Sequence, residues 1–71
     1  MTNDIIALIK HSYPKGTRIV LDFMDDPQSP PVGSIMTVEF VDDAGTIHGH
    51  WSSGCGLGLI YGEDRYHILK D

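Results

Sequence analysis

The sequence predicts a mostly β fold: a small SH3-like barrel of five short strands, preceded by a short N-terminal helix. Three observations carry that expectation. The segment "TRIVLDFM" alternates apolar and polar residues with the period of a half-buried strand. Two more strand-like runs, "SIMTVEFV" and "TIHGHW", flank the hairpin-turn sequence "DDAG" at residues 42–45. A tight-turn sequence, "GEDR", then separates two short closing runs, "LGLIY" and "RYHIL".

Taken in order, the helix is expected over residues 1–12 and the barrel over residues 16–70, within one domain spanning 1–71. Thr2, Asn3 and Asp4 are candidate caps, and Asp4 also suits the positive end of the helix dipole. Ile5, Ile6, Leu8 and Ile9 supply an apolar face, Lys10 and His11 suit the last turn, and Pro14 with Gly16 stops the helix. About ten residues make a marginal helix alone, so it must dock, either plugging the open end of the barrel or binding a partner or a second copy. In the first strand Ile19, Leu21 and Phe23 share one face, and Arg18, Val20 and Asp22 the other. Pro27, Pro30 and Pro31 remove donors and fix φ, which makes "DDPQSPPVGS" a long stiff loop.

Composition narrows the function classes. A chain of 71 residues buries only about 60% of the surface its unfolded form exposes, so self-association is a natural source of added stability. Its single cysteine, Cys55, excludes an intrachain disulfide and fits a reducing compartment, the cytoplasm. Ten acids against five bases give a net charge of −5, which argues against direct nucleic-acid binding because phosphate recognition needs a basic footprint. The N-terminus has no basic, apolar, small-residue signal order and no apolar run reaches membrane-spanning length, so neither export nor a membrane span is expected.

Several stretches invite a chemical reading. "WSSGCGLGLIYGED" resembles a phosphate-cradling loop, but it lacks the Gly-x-Gly-x-x-Gly spacing, the Gly-Lys-Ser/Thr run and a following helix. The alternatives are a hairpin turn at Ser53 and Gly54 followed by close backbone approach at Gly56 and Gly58, or a small anion nest built from the amides of Ser53, Gly54 and Gly56. His48 and His50, two apart on one strand, share a face and would need Cys55 or His67 nearby to hold a metal; no metal and no cofactor are expected. At a subunit boundary, exposed histidines would make assembly pH-sensitive. Asp25, Asp26, Asp42 and Asp43 stand where turns prefer a short carboxylate, although paired acids also serve acid–base or Mg²⁺ chemistry. No basic neighbour in sequence activates Cys55. Trp51, Tyr61, Tyr66 and Tyr13 are the side chains best suited to line a binding groove, Trp51 being equally suited to the core. The proline loop would cover such a groove or act as a polyproline ligand itself.

The ordered set "YPKGTR", "MDDPQSPP", "VDDAGTIHGHW" and "GLIYGEDR" resembles domain-of-unknown-function family 4314, over about residues 13–69. The resemblance implies a small protein of phages, prophages or integrative elements, mostly of Gram-positive bacteria, and brings no catalytic residues. It also marks departures: Ser34, Met36 and Phe40 replace a pattern of smaller residues, and Ser52, Ser53 and Gly54 follow the tryptophan in place of Asp-Asn-Gly. Met36 and Phe40 therefore read as a self-association or partner surface particular to this chain.

Two functions follow as expectations. The first is a non-enzymatic module of a mobile element that binds, and inhibits, a host protein such as a defence factor in the bacterial cytoplasm. Its candidate binding residues are Trp51, Tyr61, Glu63, Asp64, Arg65, Met36, Phe40, Asp25 and Asp26. The alternative is a homo-oligomeric binder that sequesters a host nucleotide signal, for which only Lys10, Lys15, Arg18, Arg65 and Lys70 offer positive charge to phosphates. No His/Ser/Cys or carboxylate set has the spacing of a catalytic constellation.

Overall fold

The computed structural model describes residues 2–70; the end residues of the predicted domain, Met1 and Asp71, lie outside them. One helix, α1 (Asn3–Ser12), precedes five strands: β1 (Arg18–Phe23), β2 (Ile35–Val41), β3 (Thr46–Trp51), β4 (Leu59–Ile60) and β5 (Arg65–Ile68). They form one antiparallel sheet in the order β4-β3-β2-β1-β5.

The helix forms where its caps and apolar spacing place it. Thr2 is the N-cap, its Oγ1 accepting the Ile5 N–H at 3.3 Å, and Asp4 occupies the first turn with Lys10 and His11 in the last. Tyr13 caps the other end, donating its N–H to the Ile9 carbonyl at 3.0 Å. The helix packs against β2 and contributes Ile9 to the core, while Ile5 and Leu8 remain exposed. Lys10 Nζ reaches Asp43 Oδ1 at 3.0 Å and ties the helix to the β2–β3 turn.

The core lies on one face of the sheet. Ile19 and Leu21 of β1, Met36, Val38 and Val41 of β2, Ile47 and Trp51 of β3, and Leu59 of β4 gather there around Ile9. Burying each large aliphatic side chain contributes about 1.5–3 kcal/mol. Gly49 is required within this layer: a Cβ there would lie 2.1 Å from the Thr37 carbonyl oxygen across the β2–β3 ladder.

Two predictions need correction. The sheet is open and not closed into a barrel, because β4 and β5 stand at opposite edges. β4 has two residues, where "LGLIY" predicts a longer strand, and so offers too short a ladder for closure. The second correction concerns Phe23, expected to share the inner face with Ile19 and Leu21. A bulge between Leu21 and Phe23 in the β1–β5 pairing inserts Asp22 as an extra residue, and Phe23 is 53% exposed. Phe40 has the same history on β2, where the register shifts between Val38 and Phe40. Plain alternation from Met36 and Val38 would carry Phe40 inward; the shift sends Val41 to the core and leaves Phe40 outside.

Candidate binding groove

The turn joining the two edge strands borders an open surface groove. Its backbone closes on one residue: the Ile60 carbonyl accepts the N–H of Glu63 at 3.2 Å and of Asp64 at 3.1 Å. The Asp64 carboxylate then reaches back, Oδ2 accepting the Ile60 N–H at 2.8 Å. Gly62 takes the left-handed conformation, φ +89°, that the turn demands. These bonds hold Tyr61 at the surface and Arg65 at the start of β5, opposite Phe23 of β1.

Two more tyrosines complete the wall. Tyr66 stands on β5 opposite Leu21, and its ring meets that of Tyr13 edge-on, with centroids 5.9 Å apart and planes at 70°. Both pack against the core from its rim. The Tyr66 hydroxyl is buried with no hydrogen-bond partner among the described residues. That burial, reinforced by the neighbouring Tyr13, raises its phenol above the usual range. Tyr13, Tyr61 and Tyr66, with Asp22, Asp64 and Arg65, line an open groove of about 530 Å³, within the size range of small-ligand and peptide sites. Asp22 is held at its rim by His67, whose Nδ1 lies 3.0 and 2.9 Å from the two carboxylate oxygens.

A second cleft of about 320 Å³ adjoins the first through Asp64. Met24, Leu57 and Ile60 form its apolar lining, and Asp25, Asp26, Glu63 and Asp64 supply four carboxylates with no lysine or arginine among the lining residues. Asp26 also serves its own loop, accepting the Gln28 N–H at 2.7 Å, as turn chemistry requires.

The remaining candidates lie elsewhere. Met36 and Trp51, read as partner-facing residues, are 0% and 4% exposed and belong to the core. The Trp51 indole donates to the Leu57 carbonyl at 2.7 Å, which folds residues 52–58 back over it and satisfies the ring's one polar group. Phe40 is exposed, stacked on the His48 ring at 4.7 Å, on the sheet face opposite the core. Of the proposed anion nest, the Gly54 amide is already engaged, donating to the Trp51 carbonyl at 3.0 Å in a turn where Gly54 has φ +83°. Gly58 approaches Thr46 and Ile47 so closely that a Cβ would meet the Thr46 methyl at 2.7 Å.

The histidines face carboxylates instead of one another. His48 Nε2 lies 2.8 Å from Asp42 Oδ2, and His50 pairs with Glu39. Asp42 also accepts the N–H groups of Ala44 and Thr46, each at 2.9 Å, and the bond to His48, followed by that from Thr46, holds its carboxyl below the ordinary range. Among the described residues no three His, Cys, Asp or Glu side chains converge on a common point suited to a metal. Cys55 is a free, half-buried thiol packed against the core rim. Among the described residues no helix is long and apolar enough to cross a membrane.

Against known proteins, the family described as Domain of unknown function (DUF4314) matches residues 2–69. The chain belongs to that family. No curated protein and no solved structure matches it. The DUF4314 match spans α1 and every strand, so the tyrosine groove and the acidic cleft lie wholly inside the family domain. What sequence reasoning missed is Asp22, which enters the groove rim because it is the bulged residue of β1; regular alternation carries no signal for that.

Proposed function

We propose that this protein is a non-enzymatic, SH3-like binding module that docks a segment of a partner protein in the groove walled by Tyr13, Tyr61 and Tyr66. The observation that carries this reading is the groove itself: Tyr13 from the end of α1, Tyr66 from β5 and the exposed Tyr61 from the hydrogen-bonded β4–β5 turn line one concavity. Tyrosine offers large contact area and a polar tip at low conformational cost, which suits protein recognition. The strand order, with β5 returning to pair with β1 and a tight turn joining the outer strands, supports the SH3-like assignment despite the open edge. The carboxylates of Asp26, Asp42 and Asp64 accept backbone N–H groups in turns, which supports a structural use for these three. With the mobile-element setting that the family resemblance implies, the partner is a bacterial host protein, and inhibition of a defence factor is the form this binding takes. A nucleotide ligand fits less well, because phosphates would meet Asp22 and Asp64 beside the single Arg65.

The test is crosslinking in host lysate, identification of the captured protein, and reconstitution with purified components, using the wild-type chain and Tyr61→Ala. Tyr61→Ala should keep the fold and lose the reconstituted complex. A partner bound equally well by both chains overturns the reading.

A further inference from the structure

The two edges of the open sheet are finished differently. At β4 the turn occupies the outward backbone groups: the Ile60 N–H donates to Asp64 Oδ2 at 2.8 Å, and the Ile60 carbonyl accepts the N–H groups of Glu63 and Asp64. At β5 the outward groups are left open. Leu21 spends its N–H on the Ser34 carbonyl and its own carbonyl on the Gly33 N–H, both on the β2 side, so Leu21 and Tyr66 oppose each other without exchanging bonds. The Leu69 N–H, donating to the Arg18 carbonyl at 2.8 Å, sets the same phase at the other end of the strand. The N–H and C=O groups of Tyr66 and Ile68 therefore point away from the sheet, and no turn or side chain among the described residues bonds them.

Other protections of an edge are missing too. β5 is twice the length of the two-residue β4, contains no proline or lysine, and lies against β1 with no helix or other strand packed on it among the described residues. Its inner face is unfinished as well. Ile68 stands opposite Ile19, which is fully buried, yet Ile68 is 40% exposed because the core has no further strand beyond it.

An edge of this kind takes another strand, and β5 is complementary to itself. In an antiparallel pair the outward-facing residues exchange bonds, so Tyr66 of one copy against Ile68 of the other is an allowed register. It forms four hydrogen bonds across a two-fold axis and uses every outward N–H and C=O of the two residues in both copies. The isoleucines then lie against the partner's tyrosines, an aromatic and β-branched pairing that suits cross-strand neighbours. Of the allowed registers, this is the one that sets Lys70 opposite Asp64, twice, so the charges agree with the hydrogen bonds. We infer that two copies of this chain pair antiparallel along β5 in this register, joining two five-stranded sheets into one of ten strands. A two-fold contact closes on itself, and it adds buried surface to a chain of 71 residues, where a single core is small. Because Asp64 also borders the tyrosine groove, each copy brings a lysine to the rim of the other's groove.

The experiment combines sedimentation of the full chain, from micromolar to millimolar concentration, with amide hydrogen exchange read by NMR. The mass should double as concentration rises, and the Tyr66 and Ile68 amides should exchange about tenfold more slowly in the dimer. Ile68→Pro removes only an outward N–H, a position where an edge strand accepts proline, so it should keep the fold and stay monomeric. Lys70→Glu should weaken the dimer about tenfold. Should Ile68→Pro fail to fold, a cysteine pair decides. The register puts His67 opposite its own copy at roughly 4.5 Å between Cα atoms, within disulfide reach. His67→Cys in a Cys55→Ser background should therefore oxidise to a covalent dimer, and Asp43→Cys, on a fully exposed turn, should not. A single-chain mass throughout overturns the inference. So does a dimer whose Tyr66 and Ile68 amides exchange as in the monomer, one that survives in folded Ile68→Pro or is unmoved by Lys70→Glu, or equal crosslinking at positions 43 and 67. Protection of the two amides that arrives only with a host protein gives the edge to a foreign strand and overturns it as well.

Discussion

The β2–β3 turn and the β4–β5 turn are both built on an aspartate whose carboxylate accepts backbone N–H groups, yet they end in opposite conditions. At the first, Asp42 receives the amides of Ala44 and Thr46 and then His48, so its acceptor capacity is met inside the protein. At the second, Asp64 receives the Ile60 amide and lies on the boundary of two open clefts, between Glu63 and Arg65. The same turn chemistry therefore serves a closed hairpin in one place and borders two open clefts in the other. β2 and β3 lie in the sheet interior, whereas β4 and β5 are its edges.

Substitutions that crowd the hairpin should be felt far more than those at the edge turn. Gly49→Ala places a methyl group 2.1 Å from the Thr37 carbonyl oxygen, so the ladder must shift. The expected cost is about 3 kcal/mol, read as a lower denaturant midpoint; an unchanged midpoint would mean the two strands are not held as tightly as the comparison requires. Gly62→Ala meets open space and is penalised only by its φ of +89°. About 1 kcal/mol is expected, with the larger change appearing in the amide shifts of Tyr61 and Glu63.

Acid should loosen the hairpin through Asp42. Its folded carboxyl sits below the ordinary value, so the stabilisation it provides is complete above the unfolded pKa of 3.8 and is lost as pH falls through the folded value. Denaturation compared at about pH 6 and about pH 3 should show a smaller acid-induced loss in Asp42→Asn than in wild type. An identical loss in both chains would move the acid sensitivity to other carboxylates. The smallest effect belongs to the Lys10–Asp43 pair, whose aspartate side chain is fully exposed. Asp43→Ala should change stability by less than about 0.5 kcal/mol.

Local signals were legible wherever backbone chemistry decided them. Thr2 and Asp4 mark the start of the helix, the prolines mark the loop at residues 24–34, and the Asp-bearing turns fall at residues 42–45 and 61–64 as their composition predicts. Tyr61, Asp64 and Arg65 were legible as surface residues for a related reason, since they flank a turn that must lie outside the core. Met36 was not, because an unusual apolar residue looks the same in a sequence whether it faces a partner or the protein's own interior. Trp51 was readable either way until its indole was seen to bond the Leu57 carbonyl.

By itself the sequence determined the family, the single short helix, the run of strands, the turn chemistry and the acidic balance, because each depends on residues close together in the chain or on their sum. Only the tertiary structure decided that the sheet stays open, that both phenylalanines face outward, and that Asp22 joins three tyrosines at one groove. The open sheet follows from the two-residue β4, and the outward phenylalanines from single-residue bulges at Asp22 and near Phe40, which reverse the facing of every later side chain on the strand. A bulge is a misfit between two paired strands, so it is settled by the partner strand's register and does not appear in either strand's own alternation.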